Sequence, residues 1–352
     1  MQSLDEKTWD AVELNSMFIF ERGKEKNMAS LSQGHIPLVS ARKVNNGIKG
    51  FIDEPAKVIK GGNVISLNND GDGGAGLAYY QPVDFALDTH VTALHPKQDV
   101  SPDALICMTA SISKQHAVFG HGRSISLPRA HRIQNMLPVT DSGEPDYAYM
   151  AEYTCRKRET MLNKYRLYAV ARVAEIGDVV DIPALDEKEW AHFKMPAIFG
   201  TIQRGKRLKN ADHVPGIVPY VSSTANNNGV DDYIEATPGT RVFGDCISLA
   251  NSGSVGTAFY EPFDFVASDH VTALKTEGMS KYVYLFLTST IEKQGSNFNF
   301  NREINDARIK NMQIMLPVDD NGGPDYAYME QYVKNMMLRK YQQYLSFLSR
   351  SK

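Results

Sequence analysis

Two stretches decide the architecture: VDFALDTHVTAL at Val83–Leu94 and FDFVASDHVTAL at Phe263–Leu274, nearly the same dozen residues written about half the chain apart. An internal repeat governs the reading of everything around it. Its register extends both ways. Trp9 matches Trp190, Arg22-Gly23-Lys24 matches Arg204-Gly205-Lys206, and Pro37, Ser40 and Gly47 match Pro219, Ser222 and Gly229. ISLNNDGDGG from Ile65 aligns with ISLANSGSVG from Ile247, and QNMLPV ending at Val139 with QIMLPV ending at Val318. DYAYM at Asp146–Met150 returns unchanged at Asp325–Met329. The chain is two copies of one unit.

Each copy begins with short β-rich runs: FIF, IPLVS, NVISL and GLAYY in the first, IVPYVS, CISL and TAFY in the second. Gly, Asn and Asp turns separate them, the pattern of a compact twisted sheet. After a turn carrying Gly and Pro (DSGEPDYAYM, DNGGPDYAYM), the pattern changes to long segments that read as helices, Tyr147 to about Val173 and Tyr326 to about Arg350. In the second, Val333, Met337, Tyr341, Tyr344 and Leu348 form an apolar stripe; Met161, Tyr165, Tyr168 and Val170 do so near the end of the first. About 25 residues make a rod of roughly 38 Å, longer than a domain of this size needs. Pseudo-twofold symmetry sends the second helix back along the first, with the stripes as the seam. The alternative, each helix packed only on its own domain, leaves the length unexplained. The expected fold is α+β: two pseudo-twofold-related domains with twisted β-sheets, residues 1–145 and 175–324, joined by two long antiparallel helices, 146–174 and 325–352, as a coiled-coil-like spacer.

A length of 352 residues suits two domains. The 42% hydrophobic and 22% charged residues indicate a soluble globular chain, with no apolar run near the ~20 residues of a membrane span. The start, MQSLDEKTWDAVEL, lacks the layout of a signal peptide, so a cytoplasmic location is expected. Cys107, Cys155 and Cys246 stand far apart without ligand spacing, which argues for inert thiols and against a metal site or disulfides. A net charge of −3 confines any DNA-facing surface to local patches such as RGKEK at Arg22–Lys26, RGKRLK at Arg204–Lys209, and Lys114–Arg132.

Catalytic signatures are missing: there is no GxSxG, HExxH or GxxxxGK[ST], and the one GxGxxG spacing, at Gly71–Gly76, does not recur in the second copy. GDGGAG at Gly71–Gly76 is glycine-dense, but its counterpart GSVGTA keeps two glycines, a weak phosphate cradle. EPDYAY and GPDYAY resemble a methyltransferase loop only in letters and start a helix instead. Asp53, Glu54 and Lys57 have no equivalent set in the second copy, and Pro55 interrupts them. No catalytic residue is expected. His90 and His270 sit in a buried-strand pattern and read as structural, and Asp84 and Asp264 as turn anchors.

What differs between the copies is polar and loop-like. SARKVNNGIKGF against SSTANNNGVDDYI replaces Arg42-Lys43 by Thr224-Ala225. SISKQHAVFGHGRSISLPRAHR against STIEKQGSNFNFNREINDAR diverges further, keeping an aromatic followed closely by an arginine. Arg, Lys, Asn and Gln on loops are the side chains that read base edges in the major groove. Two matched scaffolds carrying different polar sets suit the reading of two short sequences at a fixed separation.

The order of parts (GHIPLVS and GIVPYVS, the "IsL" hairpin, the "DHV-x-x-L" stretch, an R-x-I helix leading to LPV, then a long helix, all twice) resembles the DNA specificity subunits of type I and type IIB-like restriction-modification systems, over essentially the whole chain. The resemblance implies two target-recognition domains on a bipartite DNA site and a helical spacer that docks methyltransferase subunits. It implies no chemistry here, with S-adenosylmethionine and Mg in a partner methyltransferase or combined methyltransferase/endonuclease subunit; the rather short helices favour the type IIB-like branch. Arg22, Lys24, Arg204 and Lys206 are the phosphate-contact candidates. Arg42, Lys43, Asn45, Asn46, Arg123, Thr224, Asn226, Asn227, Asn299 and Arg302 are the readout candidates. The rival readings are a tandem β-rich module for protein or glycan, and an orphan phage-defence adaptor without a catalytic partner.

Overall fold

A computed structural model describes residues 2–25, 31–71, 74–119, 123–295 and 303–350. The chain divides into two compact units, Met1–Tyr165 and Arg166–Lys352. In the first, the strands are β1 (Trp9–Glu13), β2 (Phe18–Arg22), β3 (Gln33–Val39), β4 (Ile48–Ile52), β5 (Ile65–Asn68), β6 (Ala78–Tyr80), β7 (Ala86–Leu87), β8 (Val91–Pro96) and β9 (Gln134–Pro138). They form an antiparallel sheet β2-β8-β5-β6, a smaller sheet β4-β3-β7 and a ribbon β1-β9. Helices α1 (Leu14–Met17), α2 (Pro102–Ser113) and α3 (Leu127–His131) accompany them, and α4 (Tyr147–Ile176) begins here.

The second unit repeats the plan. Its strands are β10 (Trp190–Lys194), β11 (Thr201–Arg204), β12 (Pro215–Val221), β13 (Val230–Ile234), β14 (Val242–Phe243), β15 (Cys246–Ala250), β16 (Ala258–Glu261), β17 (Phe265–Ala267), β18 (Val271–Lys275) and β19 (Gln313–Pro317). The sheets are β11-β18-β15-β16, β13-β12-β17-β14 and β10-β19. The helices are α5 (Met195–Ile198), α6 (Lys281–Gly295), α7 (Asp306–Asn311) and α8 (Tyr326–Arg350). Helices α2 and α6 add to the strand runs read from the sequence, while α3 and α7 are the short helices expected before LPV. Each of α2 and α6 packs its apolar face on the sheet that holds β8 or β18: Leu105 and Met108 join Ile65, Leu67 and Leu94, while Tyr284 and Leu287 join Ile247, Leu249 and Leu274.

The doubled stretch is where the two sheets of each unit meet. Its first strand, β7 or β17, runs parallel to β3 or β12 in one sheet. Its second, β8 or β18, lies inside the antiparallel sheet. Phe85, Ala86, Leu87, Val91, Ala93 and Leu94 are all buried, as are Phe265, Val266, Ala267, Val271, Ala273 and Leu274. Between the strands, Asp88 Oδ1 accepts the His90 N–H at 2.9 Å, and Ser268 Oγ accepts the His270 N–H at 3.2 Å. The two histidines therefore lie in this turn, exposed, and not in a buried strand; the strand begins one residue later. Asp84 is a turn anchor, its Oδ1 accepting the Gly61 N–H at 3.0 Å.

The same crossing explains the repeated Arg-Gly-Lys. A Cβ on Gly23 would lie 2.0 Å from the Asp88 carbonyl oxygen, and on Gly205 2.2 Å from that of Ser268. Only glycine lets the strand end approach the turn so closely. Gly205→Ala is expected to destabilise the second unit by about 3 kcal/mol, read as a lowered denaturation midpoint at unchanged m-value. A midpoint within error of wild type would contradict this packing.

DYAYM starts the long helices by the same device in both copies. Asp146 Oδ1 accepts the Tyr149 N–H and Asp325 Oδ1 the Tyr328 N–H, both at 2.9 Å. Lys7 and Lys188 pair with these aspartates at 2.7 and 2.8 Å. Partial burial opposes ionisation of both carboxyls, but the ammonium and the N–H outweigh it and hold them below the usual range.

Helix α4 has 30 residues and α8 has 25. Within the second unit, the end of α4 and helix α8 run in opposite directions. The Tyr168 and Tyr341 rings meet edge to face at 6.0 Å, and Asn335 holds the Val180 N–H and carbonyl farther on, at 3.0 and 2.7 Å. Val333 and Met337 belong elsewhere: Val333 is buried in the core beside Leu287, and Met337 packs against that core. The first half of α8 thus covers its own domain, because α6 offers the apolar face it needs. Of the other seam candidates, Tyr344 and Leu348 are half-buried, while Met161, Tyr165 and Val170 are exposed.

Candidate nucleic-acid interface

In each unit, loops from different parts of the chain converge at one edge. In the first unit the Asn68 Nδ2 donates to the Arg42 carbonyl at 3.0 Å and to that of Gly74 at 3.2 Å, tying the β3–β4 loop to the β5–β6 hairpin. The Tyr79 hydroxyl donates to the same Arg42 carbonyl at 3.0 Å. The Asn69 N–H reaches the His90 carbonyl at 2.8 Å, and the Ile125 N–H reaches the Asn69 carbonyl at 2.6 Å. The second unit repeats the gathering: Ser254 N–H to Ser223 carbonyl, Asn251 N–H to His270 carbonyl, and Ile304 N–H to Asn251 carbonyl, at 3.0, 2.8 and 3.0 Å.

This edge collects most of the sequence candidates. Lys24, Lys43, Asn45, Arg123, Lys206, Asn226 and Asn227 are exposed, and Arg42 and Thr224 are half-buried. Arg42 Nη1 leans on the Ile48 carbonyl at 3.4 Å, and Thr224 Oγ1 accepts the Asn226 N–H at 3.2 Å. Asn299 and Arg302 lie outside the described residues. The asparagines have backbone duties. Asn45 and Asn46 adopt φ of 56° and 53°, and Asn227 and Asn228 φ of 50° and 53°, the left-handed region that asparagine tolerates best after glycine. Asn46 Nδ2 also donates to the Tyr80 carbonyl at 3.0 Å. Arg22 and Arg204 are partly committed as well, each Nη2 donating to a carbonyl, Ile125 at 3.2 Å and Ile304 at 3.4 Å.

The two edges differ in charge. Strand β4 reads IKGFI where β13 reads VDDYI. Asp231 and Asp232 line a cleft of about 560 Å³ with Asn227, Asn228, Tyr233 and Phe263. His213 Nδ1 lies 2.7 Å from Asp232, and this hydrogen bond holds the carboxyl below its usual range. In the first unit His90 Nδ1 meets Asp70 at 3.0 Å, which raises the imidazole pKa; in the second, His270 Nδ1 meets the uncharged Ser252 Oγ at 2.5 Å.

Beneath the Asn-Asn-Gly turns lies a polar layer that the motifs did not single out. Gln81 Nε2 donates to Ser66 Oγ at 2.8 Å and to the Asn46 carbonyl at 3.2 Å. The second unit places Glu261 there, fully buried, with Ser248 Oγ donating to its Oε1 at 2.9 Å and its Oε2 unpartnered. Burial pushes this carboxyl up to about 7, against the Ser248 hydrogen bond. Aligning QPVDF with EPFDF would have found the pair.

Among the described residues no three His, Cys, Asp or Glu side chains gather to hold a metal ion, and no helix is long and apolar enough to cross a membrane. The cysteines are free; burial pushes the Cys246 thiol up to about 12 and raises that of Cys107.

A twice-repeated β-rich domain, each copy presenting loops at one edge and ending in a long helix, is the architecture of a DNA specificity subunit. The chain belongs to the family described as "Type I restriction modification DNA specificity domain", which matches residues 6–156 and 187–344. It is 29% identical over 314 residues to the "Type II restriction enzyme BgcI specificity subunit S.BcgI" of Heyndrickxia coagulans, covering 88% of each chain. It shares its fold with the type I restriction-modification S subunit from M. genitalium at 13% identity and a TM-score of 0.52, covering 99% of this chain and 94% of that one. This chain is a DNA specificity subunit of a restriction-modification system.

Proposed function

We propose that the chain reads a bipartite duplex, one half-site per domain, and places a target base before a partner subunit that carries both methylation and cleavage. The observation that carries this reading is the comparison of the copies: the backbone anchors Asn69–His90 and Ile125–Asn69 recur as Asn251–His270 and Ile304–Asn251, while the polar side chains on the edge loops change. The relative's name, a type II specificity subunit, supports the type IIB-like branch, in which one partner holds both activities. Chemistry would be the partner's, with S-adenosylmethionine as methyl donor, Mg for cleavage, and the base flipped from the stack. In this chain, Lys24, Lys206 and Lys43 would neutralise phosphates, and Arg42, Arg123, Thr224 and Asn226 would face base edges.

The test is a titration of the purified chain against duplex DNA over a range of salt. Affinity is expected to fall steeply with salt and to require both half-sites at fixed spacing. Neither methyl transfer nor cleavage is expected until the partner is added. Salt-independent binding, or turnover by the chain alone, would refute the proposal.

A further inference from the structure

Each copy returns from its most divergent segment to the core at a buried isoleucine, and the two are held alike. The Ile125 N–H donates to the Asn69 carbonyl at 2.6 Å, and the Ile125 carbonyl accepts from Arg22 Nη2 at 3.2 Å. The Ile304 N–H donates to the Asn251 carbonyl at 3.0 Å, and the Ile304 carbonyl accepts from Arg204 Nη2 at 3.4 Å. Both isoleucines are 1% exposed. Asn69 and Asn251 are buried too, each Oδ1 accepting the hydroxyl of Thr92 or Thr272 at 2.8 Å.

The segment is also fastened where it leaves the core. The Ala78 N–H donates to Ser113 Oγ at 2.9 Å, and the Ala258 N–H to Glu292 Oε1 at 3.3 Å. Between these fasteners the sequence runs KQHAVFGHGRS over 114–124 and KQGSNFNFNRE over 293–303, eleven residues each. Two different sequences of equal span thus share one pair of attachment points. Buried backbone groups held from both sides resist displacement, because freeing either one leaves an unpaired polar atom away from water.

We infer that Arg22 and Arg204 are positioning residues for sequence recognition rather than phosphate contacts. With Asn69 and Thr92, or Asn251 and Thr272, each forms a socket that sets where the divergent segment re-enters its domain. The Arg-Gly-Lys repeat then has three separate tasks. Its arginine holds the isoleucine carbonyl, its glycine admits the crossing turn, and its lysine, exposed, is left for the phosphate backbone. The inference rests on the DNA-reading function proposed above.

The test uses the full chain, with the bipartite motif first read by methylation mapping. Wild type, Arg204→Ala, Thr272→Val and Lys206→Ala are titrated against the motif duplex, and against duplexes altered in one half or the other, at several salt concentrations. Arg204→Ala and Thr272→Val are expected to lower base discrimination at one half-site about tenfold with the salt slope unchanged. Lys206→Ala is expected to weaken all duplexes alike and to reduce the slope by about one. Thr272 is 3% exposed and cannot touch DNA, and valine keeps its shape, so this variant decides the matter if Arg204→Ala does not fold. A uniform loss with a reduced slope in Arg204→Ala, or wild-type discrimination in Thr272→Val, would overturn the inference. A wild-type chain without salt-dependent duplex binding would instead refute the DNA-reading function itself, and the inference with it.

Discussion

Glu261→Gln is expected to stabilise the second unit by about 3 kcal/mol above pH 8 and to leave it almost unchanged near pH 4. The carboxyl is fully buried in β16, and burial raises its pKa from 4.5 to about 7. A folded-state pKa above the unfolded one means that the native state binds the proton more tightly. The contribution of this group to stability is therefore fully present below pH 4.5 and is lost as the pH climbs through 7, where the buried group must ionise. Glutamine removes that penalty, and the first copy already uses one: Gln81, at the matching position, donates its Nε2 to the Ser66 hydroxyl. For a unit of this size the gain corresponds to roughly 6–12 °C in unfolding temperature. The two tryptophans fall one in each unit, so Trp9→Phe leaves Trp190 as the fluorescence reporter of the second. Equal shifts at pH 4 and pH 8, or a loss of stability at pH 8, would contradict a buried, proton-holding Glu261.

How much of this was legible in the sequence depends on whether a residue's role is local or shared across the fold. DYAYM could be read as a helix start because a capping aspartate acts within three residues. The doubled stretch could be read as scaffold because its apolar residues repeat together. The placement of His90 and His270 in a turn was not legible: Val, Thr, Ala and Leu alternate right up to them, and only the Asp88 and Ser268 caps mark the strand's true start. Helices α2 and α6 were hidden because their exposed and buried faces do not separate cleanly in sequence. Residues Val333 and Met337 lie on the stripe that the seam needs, but nothing in α8 alone tells which neighbour a stripe faces. Arg22 and Arg204 illustrate the limit for the interface. Their partners are backbone carbonyls 103 and 100 residues away, and a basic residue near a loop carries no sign of such a commitment.

Inserting four residues into α4 near Met161 and into α8 near Phe347 is expected to move the preferred half-site spacing by about two base pairs. It should also weaken binding at the original spacing at least about a hundredfold. One added helical turn is about 6 Å, and a base-pair step is about 3.4 Å. The insertion points lie where the helices leave the packed cores, near Met161, 70% exposed, and Phe347, 63% exposed, so the domains themselves should be spared. A fall in affinity that no spacing restores would indicate damaged domains. An unchanged preference would show that the helices do not set the distance.

The most direct test of the central claim is methylation mapping of cells carrying this gene with its methyltransferase partner. It should be compared with cells in which residues 215–234, the β12–β13 hairpin of the second unit, are replaced by the corresponding residues 33–52 of the first. The expected result is a motif of two short blocks separated by a fixed unspecified spacer, with only one block altered by the exchange. A single uninterrupted block, or an exchange that alters both blocks together, would contradict one half-site per domain.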